Sequence, residues 1–351
     1  MRYLLYAEQN YSYAILRPLQ EAIRRRGDEA AWFLAGSEIN HSYIHEDETK
    51  LENVRDVIAW RPDAVLVPGD HVPSFIPGIK VAIFHGFNVA KASRKESREH
   101  FNIRGYFDLY CTQGPNTTKG FEQLAKKYEF FSVRQTGWSA LDPLFTNVAS
   151  STAKDNGKPT VLLCSTFTKK LSCAPLLVDA VRKMRDLDEW NWLVQFHPKM
   201  SPEIVAEYKA LQNKNLTFVE TDNVIPLLQQ ADLMICDTSS VMLMFLMQRK
   251  PVVTFRNQTR EGNRKEHLIN VTEAEKLHDT VTYALGYPAE QMSKIDEYIA
   301  DTHPYTDGKS SERVLDGIDD FLEKDFGKLK RKPLNLIRNF KQRKKLGYWG
   351  L

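Results

Sequence analysis

Two histidines in this sequence stand where they could move a proton or stabilise a phosphate. His85-Gly86 and His197-Pro198-Lys199 each follow directly on a short apolar run that predicts a buried strand. A histidine titrates near neutral pH, so His85 could be the general base that activates a hydroxyl, and Gly86 would let a ligand approach the backbone closely. His197 and Lys199 could neutralise charge on a phosphate leaving group. Taken alone, each motif fits a loop histidine or a strand-ending turn equally well.

A third segment predicts a phosphate-binding site at the start of a helix. An apolar strand at 233–236 is followed by small polar residues and then by an apolar helical run at 241–246. Free backbone N–H groups and the positive end of the helix dipole at such a start attract phosphate. An ordinary N-cap is the alternative, because these residue types cap many helices. The predicted donor-binding residues here are Asp237, Thr238, Ser239 and Ser240.

A fourth segment, 307–313, precedes a predicted helix that continues through Phe321. Ser310 and Arg313 could bind an anion at this helix start, because the guanidinium fork matches the oxygens of a phosphate. From spacing alone, a solvated capping sequence is the favoured explanation.

These motifs lie within an alternation of short apolar runs and amphipathic stretches, which is typical of parallel sheets covered by helices. We predict an α/β protein with two doubly wound Rossmann-like domains facing a cleft, separated by the polar, turn-forming segment 147–159. Ligands in such folds bind beyond the carboxyl ends of the strands. The predicted parts are an acceptor-side N-terminal domain at 1–150, a nucleotide-donor-binding domain at 151–323 and a basic amphipathic tail at 324–351.

Composition and charge narrow the class of protein. With 351 residues, 42% hydrophobic and 26% charged, the chain is long enough for two globular domains and is not a disordered, collagen-like or disulfide-framework sequence. Four scattered cysteines without a CxxC pair favour a reducing cytoplasm. The N-terminus lacks the apolar core of a signal peptide, and no run approaches the roughly 20 apolar residues of a membrane helix.

The net charge of +3 conceals a strong asymmetry between body and tail. Residues 324–351 contain ten Lys or Arg and one acid, which leaves 38 basic and 44 acidic residues for the rest of the chain. We therefore expect the tail to bind the anionic cytoplasmic face of the cell membrane, with a terminal helix packed on the N-terminal domain as the alternative. Nucleic acid is disfavoured because the body is acidic. The predicted membrane-binding residues are Lys330, Arg331, Lys332, Arg338, Lys341, Arg343, Lys344, Lys345 and Trp349.

The order of these motifs resembles the CDP-glycerol glycerophosphotransferase family, the teichoic-acid primases and polymerases with a GT-B fold. The likeness rests on the HG of His85-Gly86, the HP of His197-Pro198 and three later motifs. These are an AD-x4-D-x-SS run at 231–240, a KPV at 250–252 and the DGKSSER at 307–313.

This resemblance implies that an acceptor hydroxyl attacks the β-phosphorus of CDP-glycerol and that CMP leaves, in the synthesis of teichoic acid or capsule. His85 would be the general base and His197 would stabilise the departing phosphate. The pyrophosphate would be held by Ser239, Ser240, Ser310 and Arg313. The acceptor would be a lipid-linked saccharide or a polymer.

The sequence departs from the family pattern in three ways that concern the acceptor and the number of units added. Phe87-Asn88 stands where the family typically has a small hydroxyl residue after HG, and Thr238 stands where an aromatic commonly precedes the paired serines. The chain also lacks the long additional regions of the large polymerases. We therefore expect the addition of one or a few units.

Two other hypotheses stay open at this stage. The stretch from Thr136 to Asp142 is similar to the TG-x4-D of UDP-N-acetylglucosamine 2-epimerases, which leaves a sugar-nucleotide-dependent glycosyltransferase or epimerase as the alternative enzyme. A noncatalytic, membrane-associated scaffold is the other. No metal cluster and no cofactor is expected beyond the nucleotide-activated donor, whose pyrophosphate could carry a divalent ion.

Overall fold

The computed structural model describes residues 1–87, 100–146, 156–221, 223–257 and 266–350. The chain divides into two compact units. Among the described residues, the first unit contains 1–87, 100–143 and 302–350, and the second contains 144–301.

The first unit is built on a six-stranded parallel sheet. Its strands are β1 (Arg2–Ala7), β2 (Glu29–Leu34), β3 (Ala64–Val67), β4 (Ile79–Ala82), β5 (Leu109–Thr112) and β6 (Ser132–Gln135). Their order in the sheet is β2-β1-β3-β4-β5-β6. The central strands are apolar at nearly every position because helices cover both faces of a parallel sheet.

The helices of the first unit come from both ends of the chain. They are α1 (Tyr11–Arg25), α2 (Val54–Trp60), α3 (Pro115–Tyr128), α11 (Ser310–Lys324) and α12 (Leu336–Leu346). In α1 the buried positions recur with helical spacing, as at Ile15, Leu19 and Ile23, so one face packs on the sheet. The chain passes from the first unit to the second within the short α4 (Asp142–Thr146).

The second unit repeats the arrangement with another six-stranded parallel sheet. Its strands are β7 (Thr160–Ser165), β8 (Asn191–Phe196), β9 (Leu216–Phe218), β10 (Leu233–Cys236), β11 (Val252–Phe255) and β12 (Ile269–Val271), in the order β12-β11-β10-β7-β8-β9. Its helices are α5 (Ala174–Asp186), α6 (Pro202–Ala210), α7 (Ile225–Gln230), α8 (Val241–Leu246), α9 (Leu277–Leu285) and α10 (Ala289–Thr302).

The predicted fold class is confirmed, since two parallel sheets covered by helices form two Rossmann-like units. The sequence patterns missed β6 and β12. Both are edge strands, and β6 is only half-buried, so the apolar signal of a strand is weak there. Most of the predicted linker 147–159 lies outside the described residues, as does Asn88.

The C-terminal part of the chain differs from the prediction, because residues 302–323 belong to the first unit and not to the second. Long-range ion pairs hold α11 there. Arg26, directly after α1, pairs with Asp316 and with Asp319 at 3.0 Å, and Arg134 of β6 pairs with Asp320 at 2.6 Å. The predicted boundaries at 151 and 323 are corrected to about 144 and 301.

Candidate active site

His85 is exposed just beyond β4, and the backbone before it holds it in place. Phe84 adopts a left-handed conformation with φ of 63°, which is unusual for a bulky residue and typical of functional sites. Its ring packs at a tilt against Tyr110 and edge-to-face against Phe121 in the core, with centroids 6.2 and 5.2 Å apart. Its carbonyl accepts a hydrogen bond from Trp138 Nε1 at 3.2 Å. The sharp turn therefore ends the strand at Ala82 and brings the histidine out of the sheet.

The hydrogen bonds of His85 fix which ring nitrogen can act as a base. Nδ1 lies 3.2 Å from the carbonyl oxygen of Pro68. Because a carbonyl only accepts, Nδ1 must carry the proton in the neutral ring, which leaves the lone pair on Nε2. The ring also packs against Tyr11 with centroids 5.3 Å apart. The Pro68 carbonyl thus orients the imidazole as a base with an available Nε2.

A cavity of about 700 Å³ lies next to His85 within the first unit. It forms at the carboxyl ends of β1 to β4, where parallel α/β sheets bind ligands. Its lining residues from the strand ends include Glu8, Gly36, Asp70, His71 and His85, with Tyr11 of α1. The helix α12 contributes Arg338, Lys341, Gln342 and Lys345.

Gly86 leaves open space beside the candidate base. A Cβ placed on Gly86 would meet nothing within 4 Å among the described residues, and the Gly86 carbonyl accepts a hydrogen bond from Gln113 Nε2 at 2.8 Å. Close approach of a ligand to this backbone stays a prediction.

In the second unit, His197 lies exposed at the end of β8. Its Nδ1 accepts the backbone N–H of Lys199 at 3.1 Å, so Nε2 carries the proton in the neutral ring. Partial burial against Phe167, whose ring lies 4.5 Å away, and the charge of Lys199 lower the pKa of His197. Near pH 7 the ring therefore acts as a neutral hydrogen-bond donor, and Lys199 is left to supply the positive charge.

Asp237 cannot contact a phosphate, contrary to the prediction from the sequence. Its side chain is completely buried at the end of β10. The carboxylate accepts hydrogen bonds from Ser165 Oγ at 2.7 Å and from the backbone N–H groups of Thr166 and Cys173 at 2.9 and 3.1 Å. It joins the two ends of the loop between β7 and α5, and its negative charge would repel a phosphate.

We expect Asp237→Ala to destabilise the second unit by about 2–4 kcal/mol, because it leaves the buried N–H groups of Thr166 and Cys173 without an acceptor. Urea denaturation followed by fluorescence measures the change. The control is Asp279→Ala, whose side chain is 93% exposed. Equal stability of the two variants would contradict the anchoring role.

The other three residues of the predicted anion site at 237–240 differ in their accessibility to a ligand. Thr238 is buried, Ser239 is half-buried and Ser240 is exposed at the start of α8. The Ser240 side chain makes no capping hydrogen bond to the helix. Ser239 and Ser240 are therefore the accessible hydroxyl groups of the segment.

The predicted anion site at Ser310 already contains a carboxylate of the chain itself. Asp142 accepts the backbone N–H groups of Ser310 and Ser311 at 2.8 and 2.7 Å, and the Ser310 side chain is buried. Arg313 forms a two-point ion pair with Asp307 and lies 4.1 Å from the Tyr305 ring. The Asp142 carboxylate thus accepts the free N–H groups at the start of α11, where we predicted a phosphate. Ser310 is therefore a structural residue and not a phosphate ligand, which corrects the prediction.

The same contacts explain the stretch between Thr136 and Asp142. Gly137 has φ of 81°, and a Cβ on it would come within 2.5 Å of Ser310 Oγ and 3.0 Å of His303 Nε2. Gly137 and Asp142 together hold the start of α11 in the first unit. The epimerase-like motif is therefore accounted for by packing and does not by itself indicate a sugar-nucleotide site.

Sequence reasoning overlooked the loop between β7 and α5. Phe167, Lys169 and Lys170 are exposed on it, and Phe167 contacts His197. This loop brings Lys169 and Lys170, and the end of β8 brings Lys199, to the carboxyl-end region of the second sheet. The available signal was the pair of adjacent lysines in the short polar segment that follows the buried strand β7.

The described residues contain no group of three or more His, Cys, Asp or Glu side chains placed to hold a metal ion. No helix among them is long and apolar enough to cross a membrane.

A family model described as CDP-glycerol:poly(glycerophosphate) glycerophosphotransferase matches residues 155–320. Those residues belong to this family. The resemblance noted from the motifs is thereby confirmed for residues 155–320, and the match indicates an enzyme of the CDP-glycerol phosphotransferase class, in disagreement with the alternative of a noncatalytic scaffold. No curated protein matches the chain.

Solved structures share the fold across nearly the whole chain. The wall teichoic acid polymerase TagF is 15% identical, with a TM-score of 0.65 over 93% of this chain and 90% of that one. UDP-GlcNAc 2-epimerase from Neisseria meningitidis, bound to UDP-GlcNAc, is 14% identical, with a TM-score of 0.61 over 91% and 99%. S. aureus MnaA with UDP is 17% identical, with a TM-score of 0.63 over 92% and 97%. At these identities the likeness establishes the two-domain α/β fold.

Proposed function

We propose that the protein transfers glycerol phosphate, or a related polyol phosphate, from CDP-glycerol to a hydroxyl of a lipid-linked or polysaccharide acceptor in envelope-polymer synthesis. The observation that carries the proposal is an oriented histidine base, His85, beside an open 700 Å³ cavity in a chain whose residues 155–320 match the glycerophosphotransferase family. A TagF structure obtained after a soak with CDPG supports the choice of donor.

In the proposed reaction, the acceptor oxygen attacks the β-phosphorus of CDP-glycerol while its proton passes to His85 Nε2. The bond between the β-phosphorus and the bridging oxygen breaks, and CMP leaves with that oxygen and its electron pair. The Nε2–H of His197 donates a hydrogen bond to the leaving phosphate, and Lys199 offsets its charge. Positioning and charge stabilisation supply most of the catalysis in phosphoryl transfer.

Ser239 and Ser240 are proposed to bind the donor pyrophosphate, because they offer accessible hydroxyl groups at a helix start. Arg313 is available to a phosphate only if its pair with Asp307 opens. No cofactor is proposed besides the activated donor. A divalent ion accompanying the pyrophosphate would be revealed by loss of activity in EDTA.

A donor screen tests the proposal. We expect the full chain with an envelope-lipid acceptor to release CMP from CDP-glycerol and to release no UDP from UDP-sugars. His197→Ala should lower the rate of CMP release, with Lys214→Ala, an exposed lysine of the same unit, as the control. Release of UDP, or formation of an epimer from UDP-N-acetylglucosamine, would favour the second candidate, a sugar-nucleotide enzyme, which the epimerase-like fold supports.

We further propose that the tail holds the enzyme on the anionic cytoplasmic face of the membrane. Leu336, Ile337 and Phe340 of α12 are 72%, 76% and 57% exposed, and Trp349 packs its ring against Phe340 at 5.4 Å. This apolar face lies among basic residues, of which Arg331 and Lys344 are exposed. Each cation near anionic lipid contributes about 1 kcal/mol.

The tail is, however, packed on the first unit and does not extend freely. Lys332 bonds to Asp108 at 2.6 Å, Lys330 pairs with Glu129, and Arg343 lies 4.6 Å from the Phe75 ring. Lys345 pairs with Glu8 at 2.6 Å. These four predicted membrane residues therefore hold the helix in place, and the apolar face with the exposed cations is left to contact lipid.

The double variant Ile337→Glu/Phe340→Glu should lose most of its binding to vesicles that contain an anionic phospholipid, because it places charge on the lipid-facing side of α12. Vesicle flotation measures the bound fraction. Leu176→Glu, an equally apolar and half-exposed position on α5, serves as the control. Undiminished flotation of the double variant would reject the anchoring role.

A further inference from the structure

The helix α12 forms one wall of the His85 cavity. Its polar side chains in the cavity have no role in the reaction proposed above. Asn335 Nδ2 donates to the carbonyl of Arg104 at 2.9 Å, and Asn339 accepts from Ser74 Oγ at 2.7 Å. Tyr348, just after the helix, stacks on Phe75 with centroids 5.3 Å apart. The cavity face of α12 is therefore positioned by the first unit itself.

Gln342 is the most informative residue on this wall. Its side chain is 8% exposed and lines the cavity, and its Oε1 has no hydrogen-bond partner among the residues that the structure describes. A buried amide oxygen without a partner destabilises the fold, because it has lost its hydrogen bonds to water. A ligand hydroxyl in the cavity would satisfy it, since a hydroxyl can donate to the amide oxygen or, if the amide is turned over, accept from its nitrogen.

The charges around Gln342 favour an anionic ligand. Lys345 neutralises Glu8, and Arg104 pairs with Asp70 at 3.2 Å, so two lining carboxylates are already compensated. Within the described segments, Arg338 donates to two neutral oxygens, the Arg104 carbonyl and Asn335 Oδ1, and forms no ion pair.

Lys341, on the turn of α12 next to Arg338, makes no ion pair within the described part of the chain. Among the lining residues, Glu38 is the remaining carboxylate for which the described residues provide no ion pair. The cavity therefore contains two cations without an ion pair, Arg338 and Lys341, and one such carboxylate, the exposed Glu38. The balance is a surplus of positive charge in the cavity that Gln342 lines.

We infer that Gln342, Arg338 and Lys341 form an acceptor subsite for a hydroxyl-bearing phosphate ester, with the hydroxyl on Gln342 and the phosphate on the two cations. The inference rests on the proposed function and narrows it, because the preferred acceptor then carries a phosphate close to the hydroxyl that His85 activates. A neutral saccharide acceptor would form no ion pair with Arg338 or Lys341. The C-terminal tail would thus help to select the acceptor in addition to binding lipid.

Titration calorimetry without any donor tests this subsite on the full chain. Glycerol 3-phosphate, glycerol and inorganic phosphate are the probes, and we expect the ester to bind at least tenfold more tightly than either part. Gln342→Leu and Arg338→Ala/Lys341→Ala should each weaken the ester at least tenfold. Lys328→Ala removes an exposed charge from the tail outside α12 and the cavity, and it should bind like the unmodified protein.

A stability measurement separates loss of the subsite from loss of the fold. Gln342→Leu should unfold at the same temperature or higher, because it removes a buried polar atom that lacks a partner. Equal affinity for the ester and its parts, or unchanged binding by Gln342→Leu, would overturn the inference. Since no donor is present, failure of CDP-glycerol as a substrate would overturn only the proposed function.

Discussion

Replacing His85 with alanine should reduce the rate of glycerophosphate transfer by roughly a hundred- to ten-thousandfold, the usual contribution of a general base. The Nε2 lone pair would be lost, and the nearest lining histidine, His71, has a pKa that burial lowers, which makes it a poorer base. The rate of CMP release at saturating CDP-glycerol and acceptor is the measurement.

Three comparisons separate a catalytic effect from a structural one. His85→Gln can keep a hydrogen bond to the Pro68 carbonyl without offering a base, so it should be as slow as His85→Ala. Added imidazole should partly restore the alanine variant. His41→Ala changes an exposed histidine of the same unit outside the cavity and should leave the rate unaltered. A fully active His85→Ala would exclude the histidine as the base.

Acid should destabilise both units steeply between pH 6.5 and 4, because three histidines, two buried and one half-buried, resist protonation in the folded protein. Burial lowers the pKa of His100, His267 and His303 to about 4 in each case. The unfolded chain takes up these protons near pH 6.5, so the stabilisation is complete above that pH and is lost as the pH falls to about 4. The cost is about 1.4 kcal/mol per pH unit for each histidine.

The local contacts of His303 show why its protonation is unfavourable. Nε2 accepts the backbone N–H of Trp138 at 3.0 Å, and Nδ1 is buried with no hydrogen-bond partner in the part of the chain that the structure describes. A proton on Nε2 would remove the acceptor and leave a buried charge. Because His100 and His303 both lie in the first unit, that unit should lose about 3 kcal/mol between pH 6.5 and pH 5.

Calorimetry across this pH range tests the prediction with His267→Phe. Phenylalanine can keep the stack on Tyr298, where the centroids are 3.8 Å apart, but does not titrate, so the second unit should lose stability less steeply. His278→Gln is the control, because a hydrogen bond with Glu189 raises the pKa of His278. That stabilisation is present at low pH and disappears as the pH rises, so its removal cannot flatten the acid slope. An unchanged slope in His267→Phe would refute the explanation.

The sequence could predict the fold class and the positions of the two histidines because both depend on local patterns. Buried runs such as 233–236 and 252–255 are continuous in sequence. A polar residue directly after such a run lies at the carboxyl end of its strand, whichever position that strand takes in the sheet. The family resemblance rested on the same short motifs. His85 and His197 therefore emerged without knowledge of any long-range contact.

The roles of Asp237, Ser310 and Arg313 could not be predicted in this way. A carboxylate at a helix start has the same local sequence whether it faces a ligand or anchors a loop, and only burial among Ser165, Thr166 and Cys173 distinguishes the two for Asp237. Likewise, the helix start at Ser310 appeared free because its partner, Asp142, is 168 residues away.

The amino-acid sequence by itself determined the alternation of strands and helices, the strand-end histidines and the charge of the tail, all of which follow from neighbouring residues. Only the tertiary structure decided that residues 302–350 return to the first unit and that α12 forms a wall beside His85. The physical reason is that these outcomes depend on ion pairs and hydrogen bonds between distant segments, such as Lys345 with Glu8, whose free energy is not encoded in any local pattern.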